Sequence, residues 1–477
     1  MAGEATRAAA ATGTRKAARP DILQGNVHRG VLRVAFPSVA TMLLQTTNGF
    51  LDRFFVGELG PDALAAITIS SSLMFALMSA AMAISVGTTA LVARFVGEGD
   101  TEQAERATQQ SLVLSLAVAV LAAALMWLLR APLLQALGLQ PGPRLLATAY
   151  LNVILFGLPS LFAMLILNGT FRGMGDTVRP FWVSLGANLV HAAGNWLLIF
   201  GNLGFPRMGL PGGALALVIS PVMAFGMYWW FLRRSPLRGA LRAGGWRVDL
   251  SWYWRIARIG LPASAQQLIR VGSMLVFQGL LARTGAASAA VAALGVGLVS
   301  ESIAFMPGFG YAIAASAFVG QNLGARQVRR AQHGAWAATW QAVAVMTVMG
   351  VVFWTFAEPF ARLFVHTENP TAGQREQIEE TVKLTVSYLR IVAWSEPFLG
   401  LAMVLTGALQ GAGETVSPTA LTVVTMVVLR LPLAWLLMHT VGLGAVGGWY
   451  AMAVSTVVQG LLTVLIFRRG RWRHIRV

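Results

Sequence analysis

The chain contains no cysteine, which excludes disulfides, thiolate nucleophiles and cysteine metal ligands. Charge is scarce as well: Asp, Glu, Lys and Arg make up only 12% of the 477 residues. Ordinary soluble domains carry about twice that share, so most of this chain is not expected to face water. Acid is rarer than base, 19 residues against 36, which leaves a net charge of +17. No Walker A stretch is present, so nucleotide hydrolysis is not expected. No cluster of His, Asp and Glu has metal-ligand spacing, and no nucleophile is placed beside a base. Neither a metal, a cofactor nor an enzymatic activity is therefore expected.

What the chain does have is apolar length. Hydrophobic residues make up 56% of it, and its mean hydropathy is +0.64. Runs near the length a helix needs to cross a bilayer recur about twelve times. They cover 34–56, 66–92, 109–129, 147–168, 181–201, 212–232, 256–281, 289–320, 335–357, 384–406, 418–439 and 445–467. The expected fold class is thus an all-α integral membrane protein with twelve transmembrane helices.

The basic excess is not placed as a nucleic-acid surface would place it. With the N-terminus inside, about 25 of the 36 Lys and Arg fall in the loops and tails of one side. Segment 233–258 alone carries Arg233, Arg234, Arg238, Arg242, Arg247, Arg255 and Arg258. The opposite loop 358–383 is rich in acid: Glu358, Glu368, Glu376, Glu379 and Glu380. This asymmetry predicts both termini in the cytoplasm and a lipid bilayer, not a nucleic acid, as the large partner. Residues 1–20 lack the apolar stretch of a signal peptide and read as a flexible cytoplasmic tail. Arginine heavily outnumbers lysine and alanine is abundant, a composition typical of GC-rich bacteria, for which the location would be the inner (plasma) membrane.

The chain repeats itself. GTFRGMGDTVRP (169–180) matches GALQGAGETVSP (407–418) in seven of twelve columns when Asp176 and Glu414 are counted as an exchange. Pro159 aligns with Pro397 at the same offset, Pro37 with Pro262, Gly97 with Gly324, and GLPGGA (209–214) with GAVGGW (444–449). Six spans separate each matched pair. An even number returns the chain to the same side, so the two halves have parallel topology and a pseudo-twofold axis along the membrane normal. The expected organisation is a tail at 1–28, a six-helix bundle at 29–232, a basic linker at 233–255, a second bundle at 256–467 and a basic tail at 468–477. Repeated prolines within spans (Pro37, Pro159, Pro221, Pro262, Pro307, Pro397 and Pro432) predict kinks, some of which would serve as bending points.

Several polar residues lie where lipid would penalise them. In the first span Gln45, Asn48 and Asp52 share one helix face, and in the fifth Ser184, Asn188, His191 and Asn195 do the same. Lipid exposure of either stripe would cost several kcal/mol, so they should face each other or a wet cavity. The second half does not keep them: Arg270, Ser273 and Phe277 replace the first set, and Met426, Leu429 and Leu433 replace the last three of the second. The ion chemistry is therefore expected in the N-terminal half, with Asp52 as the exchangeable acid and His191, Asn48, Asn188 and Asn195 as its network. Glu301, Glu396, Arg270 and Arg430 lie in spans of the second half, where they are expected to form structural ion pairs. Gln45, Pro37, Glu301 and Arg270 are the candidates for lining a substrate cavity.

Taken together, Pro37 with LDRFFVGELG (51–60), ALVARFVGEGD (90–100), NGTFRGMGDT (168–177), FMPGFGYAIAASAFVGQNLGA (305–325) and TGALQGAGET (406–415) resemble the MATE family (multidrug and toxic compound extrusion) over residues 30–467. The resemblance implies two bundles around a V-shaped cavity. It implies an antiporter exporting amphipathic, often cationic, organic compounds in exchange for H⁺ or Na⁺, here working as a monomer. One branch uses a first-span Asp preceded fifteen residues earlier by a Pro, a pattern that Asp52 and Pro37 match. Where the fifth span of the family commonly reads Asn-x-x-x-Asp or Asn-x-x-x-Asn, this chain reads His191-x-x-x-Asn195, which favours a proton over sodium. A flippase for a lipid-linked precursor, from the wider superfamily, is the alternative; it would need cavity arginines, for which only Arg270 and Arg430 stand out.

Overall fold

The computed structural model describes residues 20–242, 246–285, 287–365 and 371–475. Long helices follow one another in chain order: α1 (Val27–Gly57), α2 (Pro61–Glu98), α3 (Thr101–Ala136), α4 (Pro141–Gly173), α5 (Val178–Phe200) and α6 (Leu210–Arg233). The second half comprises α7 (Leu250–Leu281), α8 (Ala287–Gly324), α9 (Val328–Thr355), α10 (Ala372–Ala393) and α11 (Glu396–Gly411). It is completed by α12 (Val416–Thr440) and α13 (Gly444–Arg469). All twelve apolar runs fall on these helices, the tenth on α10 and α11, which meet at a 57° bend before Pro397. Among the described residues, nine helices are long and apolar enough to cross a membrane, ten if that bent pair is one span. α1 and α7 are not among them; the polar stripes at Gln45–Asp52 and Gln266–Ser273 lower their mean hydropathy.

Local chemistry sets the helix ends. Asn26, Asp100 and Asp249 accept hydrogen bonds from the first-turn N–H groups of Arg29, Gln103 and Ser251, satisfying donors that a helix start leaves orphaned. The Ser251 hydroxyl and N–H hold the Asp249 carboxyl below the usual carboxylate range. The repeated loops fold alike. Gly175 and Gly413 take left-handed φ angles of +72° and +85°, and the amides of Asp176 and Glu414 close back onto the carbonyls of Phe171 and Leu409, each at 2.9 Å. Each acid then caps the next helix, Asp176 for Val178 and Arg179, Glu414 for Ser417. The Asp/Glu exchange thus preserves one physical job.

The packing repeats too. α2 packs on α4 as α8 packs on α11, and α4 on α6 as α11 on α13. Between the halves, α1 lies against α8 and α7 against α2, the two contacts that one pseudo-twofold operation interchanges. The seam is tightest at the end that carries the basic segments. A Cβ on Gly97 would lie 2.0 Å from the Gln321 carbonyl oxygen, one on Gly260 2.0 Å from that of Ala83, and one on Gly324 2.1 Å from that of Arg94. Toward the far ends of α7 and α8, and at the end of α1, added Cβ atoms on Gly279, Gly295 and Gly57 would meet nothing within 4 Å. The halves touch at one end and part at the other.

Residues 20–26, assigned by sequence to the tail, are anchored instead. Ile22 is 1% exposed, and Arg330 donates to the carbonyls of Ile22, Gln24 and Gly25. An exposed Ile there would cost hydrophobic free energy, and the guanidinium suits the carbonyl end of the short helix Pro20–Leu23. Residues 1–19 of the expected tail lie outside the described residues. At the other terminus Trp472 is fully buried and donates to the Phe467 carbonyl at 2.8 Å. A Cβ on Gly175 would lie 2.2 Å from Ile22 Cδ1 in addition to straining the backbone. Gly175→Ala should therefore destabilise the protein by about 1–3 kcal/mol. A thermal-unfolding midpoint in detergent equal to that of the parent would refute this.

Candidate functional site

The two polar stripes of the N-terminal half meet. α1 and α5 pack side by side. Asp52 Oδ1 lies 2.5 Å from His191 Nε2 and accepts from Asn195 Nδ2 at 2.8 Å. Asn195 Nδ2 also lies 3.1 Å from His191 Nε2. The His191 and Asn195 side chains are buried, whereas the Asp52 side chain keeps 28% of its surface. A buried base and amide thus hold a carboxylate that a proton can still reach. His191 Nδ1 and Asn195 Oδ1 are buried with no hydrogen-bond partner. The imidazole therefore engages its neighbours through Nε2 alone, and a carboxylate there can only accept from it. Tyr150 of α4, also buried, lies within electrostatic reach of Asp52; an isolated tyrosine in an apolar span gave no sequence signal for it.

The other expected network members sit apart. Asn188 Nδ2 donates to the Leu44 carbonyl at 3.1 Å, tying α5 to α1 away from the cluster, about one turn along α5 and two along α1. Asn48 Oδ1 is buried without a partner and makes no hydrogen bond to Asp52. In the second half the place corresponding to Asp52 is core. Phe277 is fully buried, with its ring centroid 6.5 Å from that of Trp449. The asymmetry read from the repeat is therefore physical: one half has a titratable cluster where the other has aromatic packing.

A cavity of about 650 Å³ lies between the halves, within the range of sites for drug-sized molecules. Met42, Met82, Met164, Met306, Met403 and Phe309 give it a polarisable apolar wall that can adapt to varied shapes. Its polar groups include Gln45, Asn168, Asn188, Gln267 and Gln410. Of the candidate lining residues, Gln45 and Arg270 are there. Glu301 lies in a smaller side cavity of about 260 Å³ that shares Arg270 with the main one. Pro37 lines neither; it sits toward the basic end, where α1 packs on α8 and a Cβ on Gly310 would meet Val39 Cγ2 at 2.3 Å. Asp52 and His191 are also outside the main lining. Arg172 and Tyr228 line it. Sequence reasoning missed Arg172 because it lies inside the conserved-looking loop motif, which reads as structural.

The four charged residues of the second half do not pair as expected. Among the described residues no ion pair within 4 Å joins Glu301 or Glu396 to Arg270 or Arg430. Tyr388 donates to Glu301 Oε2 at 2.6 Å, and Arg430 donates to Ser455 at 2.7 Å and Thr456 at 3.2 Å. Hydroxyl groups satisfy Glu301 and Arg430 in place of the opposite charges, whereas both carboxyl oxygens of Glu396 and Nε of Arg270 are buried without a hydrogen-bond partner. α12 widens into π-helical turns at Val423–Arg430 and Leu436–Thr440, on either side of Pro432. That irregularity is unreadable from sequence period alone.

Two parallel six-helix halves enclosing a cavity define a multi-pass membrane transporter. The sequence model of the MatE family matches residues 37–197 and 262–436, the paired halves themselves, and the chain belongs to that family. Similar proteins include the probable multidrug resistance protein NorM of Thermotoga maritima, 28% identical over 94% of this chain and 93% of that protein. The NorM of Bradyrhizobium diazoefficiens is 28% identical over 92% of each chain. YoeA of Bacillus subtilis, also named as a probable multidrug resistance protein, is 24% identical over 94% of each. Among solved structures, an outward-facing multidrug resistance MATE family transporter of the MOP superfamily superposes with a TM-score of 0.83 at 24% identity, covering 94% of this chain and 96% of that one. A MOP superfamily transporter from Pyrococcus furiosus gives a TM-score of 0.85 at 24% identity, with the same coverage.

Proposed function

We propose that this protein is a secondary antiporter of the inner (plasma) membrane, with cytoplasmic termini, that exports amphipathic organic compounds in exchange for protons. The observation that carries the coupling is the Asp52–His191–Asn195 cluster. A carboxylate that accepts two N–H donors at one oxygen suits a proton better than Na⁺, which needs several oxygen ligands. Proton uptake by Asp52 removes the charge that holds those donors. The bond between α1 and α5 then weakens, and α1 is free to move. Because α1 also packs on α8 across the seam, its movement reaches the contact that closes the basic end. Coupling in this reading runs through helix position, since Asp52 does not line the cavity.

With positive-inside topology the closed basic end faces the cytoplasm, so the structure corresponds to an outward-open state. The names of the relatives support export of multiple drugs. The cationic cargo expected from the sequence finds no carboxylate in the main lining. The test is efflux from proteoliposomes with a pH gradient and a sodium gradient imposed separately. Efflux of a fluorescent amphiphile should follow the pH gradient alone. Efflux that follows only sodium would refute proton coupling, and none under either gradient would refute antiport.

A further inference from the structure

The main cavity has a charge balance that its wall composition makes plain. Among its lining residues the charged ones are Arg172, from the C-terminal end of α4, and Arg270, from the middle of α7. No Asp or Glu lines it. Neither guanidinium makes an ion pair within 4 Å among the described residues, and neither makes a side-chain hydrogen bond there. Arg270 Nε is buried with no partner at all. Asp176 and Glu301 are engaged elsewhere, and Glu396, whose two carboxyl oxygens are buried without a hydrogen-bond partner, makes no ion pair with either arginine among the described residues. Asp176, four residues beyond Arg172, lies 3.4 Å from Arg179. Glu301 accepts from Tyr388, and the guanidinium within its electrostatic reach is that of Arg430. Both arginines are partly buried in the cavity wall, and a cation that leaves bulk water without an opposite charge nearby costs free energy. Such an arrangement persists in proteins when a ligand supplies the missing charge, and a planar guanidinium is the side chain best matched to an oxyanion.

We propose that the cavity takes an amphipathic organic anion, with a carboxylate, sulfonate or phosphate head held by Arg270, Arg172 adding to the positive field of the cavity, and an apolar body laid against the methionine wall. The two arginines come from opposite halves, α4 and α7. This inference rests on the transport reading above but not on its coupling ion. A free organic anion and an anionic lipid headgroup present the same chemistry, and the amide-rich remainder of the wall discriminates little between them.

The test is equilibrium binding without any gradient, so a failure of proton coupling leaves it unaffected. Purified protein in phosphatidylcholine nanodiscs would be titrated with three naphthalene derivatives of matched size, bearing a sulfonate, a neutral hydroxymethyl or a trimethylammonium group. The sulfonate should bind tightest. Arg270→Gln should weaken sulfonate binding about tenfold, as loss of one charge-assisted contact predicts, Arg172→Gln should weaken it less, and both should leave the neutral compound unchanged. Arg270→Lys should recover part of the loss, which separates charge from folding. Repeating the titration in nanodiscs containing phosphatidylglycerol distinguishes the sources. Weaker sulfonate binding there supports the site and assigns it a lipid headgroup; unchanged binding supports it and assigns a soluble anion. Equal or tighter binding of the trimethylammonium compound by the parent protein, or glutamine variants that bind the sulfonate as the parent does, would overturn the proposal.

Discussion

Asp52→Asn should abolish proton-driven efflux while the protein still reaches the membrane in normal amount. The substitution is nearly isosteric, and the amide oxygen can still accept from His191 Nε2 or Asn195 Nδ2, the two donors at 2.5 and 2.8 Å. The α1–α5 contact therefore survives, as does the cavity, which Asp52 does not line. What disappears is a group that can gain and lose a proton. Substrate binding should be retained while accumulation against a pH gradient falls to that of empty vesicles. Binding by fluorescence and efflux in the same proteoliposomes measure the two quantities. Efflux at the parental rate would remove Asp52 from the mechanism.

Gly97→Leu should change the direction in which the cavity opens. Any Cβ at that position would sit 2.0 Å from the Gln321 carbonyl oxygen, and a backbone atom cannot swing aside as a side-chain tip can. Overpacking of this kind costs about 1–3 kcal/mol, and parting the halves at the basic end relieves it. The absence of native cysteine makes the result directly readable. In an Ala187→Cys background, which places one thiol in the cavity wall, a membrane-impermeant maleimide should label the parent from the side remote from the basic segments. Adding Gly97→Leu should shift labelling to the basic side. Labelling from the same side at the same rate in both proteins would show that the seam is not the gate.

Much of this molecule is legible in the sequence because lipid leaves the backbone few choices. Helices are forced wherever an apolar run is long enough, so their number and order could be read directly. The repeat fixed the relation of the halves, since matched loops six spans apart must lie on one side. The loop at Gly175 and its copy at Gly413 carried their own geometry, because left-handed backbone strongly favours glycine. The pairing of Asp52 with His191 and Asn195 was also readable as two polar faces seeking each other. Side-chain reach was not. Pro37 and Asp52 stand on a helix that lines the cavity, yet both turn elsewhere, while Arg172 enters it from a motif that looked purely structural. Glu301 found a tyrosine before it found an arginine, a difference of rotamer and distance that spacing along a chain does not encode.

The sequence by itself determined a membrane-spanning, twofold-repeated helical protein with one titratable cluster in its first half. Periodicity, hydropathy and matched loops are properties of one chain segment at a time. Only the tertiary structure decided which side chains share a wall. The cavity lies between segments more than two hundred residues apart, and its basic character depends on which charges come within 4 Å of each other and which do not.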